Sequence, residues 1–136
     1  MSLDSLKLSD VSVGDALPEL VVPLTTSLIV SGAIASRDFT PVHHDKAAAQ
    51  ASGVPDVFMN ILTTQGLCSR YVTDWAGPNA LVKSVKTKLG GPMLPGDTLK
   101  LRAKVVAVDA PVIDVEVAGN NAWGNHVTAT FTLELP

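Results

Sequence analysis

The feature that most constrains this chain is a change of hydrophobic period close to Gly77. From about Phe58 to Ala76 the apolar residues Phe58, Ile61, Leu62, Cys68, Tyr71, Val72 and Trp75 recur at spacings of three and four, with a gap around Gln65. That is the pattern of one long helix with a buried face. Gly77-Pro78 closes it, because glycine leaves a helix easily and proline cannot continue one. After that the period is two. Leu99, Leu101, Ala103 and Val105 alternate with Thr98, Lys100, Arg102 and Lys104. Ile113, Val115 and Val117 alternate with Asp114 and Glu116, and Val127, Ala129, Phe131, Leu133 and Leu135 alternate with threonines and Glu134. Over Leu81 to Leu89 the alternation is looser, with Leu81, Val85 and Leu89 on one face and Lys83 and Thr87 interrupting it. Four half-buried strands of an antiparallel sheet are predicted. Gly90-Gly91-Pro92, Pro95-Gly96-Asp97, Asp109-Ala110-Pro111 and Gly119-Asn120-Asn121 supply their turns.

A long apolar helix followed by an antiparallel meander predicts an α+β domain with the sheet wrapped around the helix. That is the outline of a hotdog fold, here as a single domain over residues 1–136. Upstream, residues 1–19 read as an irregular lead-in, and Val21 to Thr25 as an edge strand weakened by Pro23. Ser27 to Ser36 suits a buried strand or a short helix; Thr26 or Ser27 as an N-cap favours the helix. Asp45 is placed to cap a second short helix over Lys46 to Ala51, with Gly53 as its stop.

Composition narrows the function. With 46% hydrophobic and 17% charged residues, the chain is expected to fold rather than stay disordered. The net charge is −3 and lysines and arginines form no run, which argues against nucleic acid as a partner. No stretch approaches the ~20 apolar residues of a membrane span. Met1 to Asp15 has no long apolar segment of a signal peptide, and the lone Cys68 fits a reducing compartment, so the cytoplasm is the expected location.

The chemistry is concentrated in Arg37-Asp-Phe-Thr-Pro-Val-His-His-Asp45, which holds two of the three histidines. Asp38 and His43 lie five residues apart across a Thr-Pro turn. A rigid turn can aim both into one pocket, where a carboxylate and an imidazole can divide the work of general base and general acid on one water. Such a pair suits addition of water to an activated double bond, or its reversal. A structural Asp–His pair holding a turn is the alternative.

Asp38 to Asp45 resembles the signature of MaoC-like, (R)-specific enoyl-CoA hydratases, Gly-Asp-x-Asn-Pro-hydrophobic-His-x-Asp. Arg37 stands in place of its Gly and Thr40 in place of its Asn. Gly91-Pro-Met-Leu-Pro-Gly-Asp-Thr-Leu99 resembles the family's Pro-Gly-Asp-Thr-Leu loop, and Gly119 to Val127 its turn before the last strand. Asn60-Ile-Leu-Thr and Arg70-Tyr-Val-Thr-Asp-Trp-Ala-Gly-Pro78 are similar to the small subunit of the actinobacterial heteromeric hydratases of steroid side-chain enoyl-CoA esters. The resemblance implies Asp38 and His43 as catalytic residues. It places the oxyanion and substrate-binding site at the start of the long helix, around Asn60 and Ile61. It implies an acyl-CoA substrate, no cofactor beyond the coenzyme A that the substrate carries, and a second MaoC-like subunit in a heterodimer or heterotetramer, or else a homodimer.

Other readings compete residue by residue. Asn60 serves equally as an N-cap, the preferred reading. A metal site from His43, His44 and Asp45 lacks a fourth ligand, and none is expected. His44 and His126 are expected at the surface, Cys68 in the core and Asp45 as a cap. Arg70 and the Lys83, Lys86, Lys88 cluster are placed either against CoA phosphates or on a solvated strand face. A non-catalytic half that completes a partner's pocket, and a thioesterase using Asp74, are the rival functions.

Overall fold

The computed structural model describes residues 3–136; Met1 and Ser2, the first residues of the expected lead-in, lie outside the described residues. The elements run β1 (Leu20–Pro23), α1 (Thr26–Ala35), α2 (Lys46–Ala51), α3 (Ile61–Ala76), β2 (Leu81–Leu89), β3 (Thr98–Asp109), β4 (Val112–Asn121) and β5 (Gly124–Glu134). The strands form one antiparallel sheet in the order β1-β3-β4-β5-β2. Its inner face meets Cys68, Tyr71, Val72 and Ala76 of α3 in one core with Leu99, Leu101, Val115, Val117, Phe131 and Leu133. The helix wrapped by a sheet is therefore the observed arrangement.

Capping residues explain the helix boundaries. Thr25, one residue before the expected cap, accepts from the Leu28 amide at 3.0 Å and starts α1. Asp45 accepts from Ala47 and Ala48 at 2.9 and 3.3 Å and starts α2 as expected. The long helix begins at Ile61 rather than Phe58. The preceding residues are held extended, with the Phe58 amide on the Val42 carbonyl and the Met59 amide on the Met93 carbonyl. Its buried face consequently starts at Thr64, and Ile61 and Leu62 stand nearly half exposed.

Two bulges revise the strand reading. In β2 the register slips between Val82 and Ser84. Val82 then pairs with inward Leu133 and Leu81 with Glu134, so Leu81 lies on the face opposite Val85. A bulge inserts one unpaired residue and reverses the alternation beyond it. Here the extra residue is Lys83, which reaches Glu134 at 3.2 Å. The second slip lies between Gly119 and Asn120 of β4. Gly119-Asn120-Asn121 is strand, not turn; the reversal is at Ala122-Trp123.

That second slip also overturns the surface placement of His126. Gly119 pairs with Val127 and Asn120 with Asn125, which leaves His126 without a partner across the ladder. It turns inward beside Val127, 2% exposed. Its Nδ1–H donates to the Gly91 carbonyl (2.7 Å) and its Nε2 accepts from the Thr64 hydroxyl (2.8 Å). A carbonyl only accepts, so this tautomer is the one both bonds require.

Candidate functional site

The site is assembled where α1 ends and α3 begins. Ser36 caps the C-terminus of α1. The Arg37 amide bonds to the Ile34 carbonyl and the Asp38 amide to the Ala33 carbonyl. These two bonds define a Schellman ending, in which the residue after the cap takes a left-handed conformation. Arg37 does so, with φ of 55°. Glycine is the residue that adopts this φ without a Cβ penalty. Arg37→Gly is therefore expected to keep the fold and raise stability by up to about 1 kcal/mol, measured by urea denaturation; a loss of stability would refute this account of the turn.

This ending turns Asp38 toward a 3-10 turn at Pro41–His43, and its carboxylate lies 3.4 Å from His43 Nε2. His43 is buried. Its Nδ1–H donates to the Phe58 carbonyl at 2.6 Å, and its ring packs edge-on against Phe58 with centroids 5.0 Å apart. The Nδ1 bond fixes the tautomer in which Nε2 carries a free lone pair. Asp38 Oδ1 accepts from the Thr40 hydroxyl (2.7 Å) and amide (3.2 Å), and Oδ2 accepts from Asn60 Nδ2 (3.0 Å). The Thr40 hydroxyl, then Asn60, then the Thr40 amide hold the carboxyl down to about 2, against partial burial, with a smaller contribution from His43. Hydrogen bonds to the charged form have this effect. Asp38 is thus an anion at any working pH.

The sequence pattern points to Asp38 and His43, and the fold brings both together with Asn60 and Ile61. Asn60 is the cap of α3, as preferred, with Oδ1 accepting from the Thr63 amide (3.0 Å) and hydroxyl (2.5 Å). Nδ2 donates to Ser36 Oγ (2.9 Å) as well as to Asp38. All four positions of the amide are used, so it has no donor left for a substrate oxygen. The amides of Ile61 and Leu62 have no acceptor among the described residues. They stand free at the positive end of the helix, the arrangement that stabilises a developing negative oxygen.

Sequence reasoning missed the parts played by Ser36 and Thr40. The Asp-x-Thr spacing was the available signal, because an aspartate bonds readily to the backbone two residues on. The remaining singled-out residues go elsewhere. His44 is exposed and its Nε2 faces the Phe39 carbonyl (3.2 Å), so His43, His44 and Asp45 do not converge. Cys68 is fully buried, and burial pushes its thiol up to about 11. Asp74 pairs with Arg70 at 3.5 Å near the far end of α3.

The fold and this site together define a class. The MaoC like domain matches residues 13–124, and the chain belongs to the MaoC-like family. It has the family's hotdog fold. Among individual proteins it is similar to the 3-oxo-4,17-pregnadiene-20-carboxyl-CoA hydratase beta subunit of Mycobacterium tuberculosis, at 50% identity over 123 residues, 90% of this chain and 95% of that one. A chain in the crystal structure of the ChsH1-ChsH2 complex from the same organism superposes with a TM-score of 0.91 at 50% identity, covering 92% of this chain and 98% of that chain. The unliganded R-hydratase PhaJ1 from Pseudomonas aeruginosa shares the fold, with a TM-score of 0.86 at 18% identity over 97% of this chain and 86% of that one.

Proposed function

We propose that this chain adds water across the 2,3-double bond of an enoyl-CoA thioester, with Asp38 and His43 as its catalytic residues. The observation that carries the reading is the orientation of His43. The Phe58 carbonyl occupies the Nδ1–H, and the free Nε2 faces an ionised carboxylate at 3.4 Å. A water seated in front of both Nε2 and Asp38 Oδ2 donates a hydrogen to each. As its oxygen bonds to C3, Nε2 takes one proton and the π electrons move through C2 to the thioester oxygen. The Ile61 and Leu62 amides receive that oxygen. The imidazolium, stabilised by Asp38, then delivers the proton to C2 and the enolate collapses. One water is consumed and His43 is returned neutral.

The substrate class rests on the Mycobacterium tuberculosis relative, whose name specifies a steroid side-chain CoA hydratase. A cleft of about 320 Å³ between α1 and α3, lined by Gly32, Ala35, Ser36, Leu62, Thr63, Gly66 and Leu67, opens beside the dyad and has the apolar lining a ring system needs. A second MaoC-like subunit is the partner. Ile34, Phe39, Ile61 and Leu62 stand exposed around the site, and Leu81, Val82 and Leu89 along the unpaired edge of β2. Exposed apolar patches and open strand edges are surfaces that partners cover. The reduced, buried Cys68 suits a cytoplasmic location.

The direct test follows loss of the conjugated enoyl-thioester absorbance with a steroid side-chain enoyl-CoA, using the purified chain alone and with a MaoC-like second subunit. Hydration that requires the pair is the expected result. Absence of turnover in every pairing, with a short linear enoyl-CoA as well, would overturn the reading.

A further inference from the structure

Asn60 joins three parts of the molecule: the first turn of α3, the end of α1 and the Asp38 carboxylate. It is 2% exposed. Its Oδ1 holds the first turn of α3 through Thr63, and its Nδ2 spans to Ser36, at the end of α1, and to Asp38 Oδ2. The assignment of oxygen and nitrogen is forced at both ends. The Thr63 amide only donates and the Asp38 carboxylate only accepts. Ser36 is itself fixed, its hydroxyl donating to the Gly32 and Ala33 carbonyls. The free amides of Ile61 and Leu62 follow Asn60 directly in the chain. One amide therefore ties the carboxylate to the helix start that faces it.

We propose that Asn60 is a positioning residue. It sets where the Asp38 carboxylate lies relative to His43 and keeps that carboxylate an acceptor, while capping the helix whose amides face the substrate. Thr40 holds Oδ1 alone. Without Asn60, Oδ2 is free to rotate away from the 3.4 Å gap to Nε2. The catalytic consequence rests on the hydration reading; the effect on the carboxylate does not.

Two variants separate the cap from the clamp. Asn60→Ser keeps a capping oxygen but is too short to reach Asp38. Asn60→Asp keeps the cap and sets a second carboxylate against the first, and two carboxylates at that distance share a proton. Asp38 is followed by ¹³C NMR of its carboxyl group in the full chain, and kcat and KM by the hydration assay with the second subunit. Expected are an upward shift of the Asp38 titration in both variants, larger in Asn60→Asp, and an acid limb in the kcat profile that moves up with it. In Asn60→Ser, kcat falls at least about 10-fold with KM little changed. An unmoved Asp38 titration in both variants overturns the proposal even if the parent is an active hydratase. A shifted titration in a chain inactive on every enoyl-CoA sustains the clamp and removes the hydration reading instead.

Discussion

Asp38→Asn is expected to lower kcat for hydration by about 10²- to 10⁴-fold, the usual worth of a positioned acid–base group. The substitution preserves shape and removes the charge that orients water and stabilises the imidazolium. It also disturbs the local bonding. An amide oxygen at Oδ1 still accepts from Thr40, but its NH₂ then faces the NH₂ of Asn60, two donors with nothing between them. Turning the amide over sets that NH₂ against the Thr40 amide instead. His43→Gln is expected to lose as much, because no base then stands at the Nε2 position. The double variant should be little worse than either single one, since the two act on one water and such losses do not add. The assay is enoyl-thioester absorbance with the second subunit present, and circular dichroism checks the fold. Full activity in a folded Asp38→Asn would place the catalysis on another chain.

The largest loss of stability is expected away from the site, at His126. It is buried where β5, α3 and the loop after β2 meet, and both ring nitrogens are bonded. His126→Phe keeps the volume and leaves the Thr64 hydroxyl and the Gly91 carbonyl without partners. Each stranded group costs roughly 1–3 kcal/mol, so a loss of about 2–6 kcal/mol is expected in urea denaturation. Adding Thr64→Val should restore part of it, because one of the two stranded groups is then gone. His126 also makes stability depend on pH. Burial is the main cause that holds its pKa below the ordinary 6.5, partly offset by the Gly91 carbonyl and Asp97. The unfolded chain therefore binds a proton near pH 6.5 that the folded chain refuses. Stability is full above that pH, and falls as the pH drops from 6.5 toward the lowered folded value. His126→Phe should flatten the slope in that window. An unchanged slope would show that other groups carry it.

The acidic end behaves separately. Asp38 is held at about 2 against an ordinary 3.8. Its contribution to stability is present above about pH 4 and is lost as the pH falls through about 2. The His126 loss sets in below about pH 6.5 and the Asp38 loss only below about pH 4, so the two begin at different points of a pH titration of stability.

Much of this protein was legible in its sequence because the signals are local. The period of three to four over α3 and of two over β3 and β5 follows from which face of each element meets the core. Asp45 caps α2 through amides two and three residues away. Asp38 and His43 are carried by one short turn, so their spacing alone brings them close. What the tertiary structure decided depends on residues far apart in the chain. The inward turn of His126 needs a bulge in the β4–β5 pairing and a partner on α3, 62 residues away. The facing of Leu81 needs the slip at Lys83, which appears only once β5 is its neighbour. Asn60 reads as a cap from its neighbours, but its hold on Asp38 crosses 22 residues and forms only when α1 packs on α3. A side chain's local bonds are set by spacing, whereas its direction in a sheet and its partners across the core are set by register and packing, which no short stretch of sequence contains.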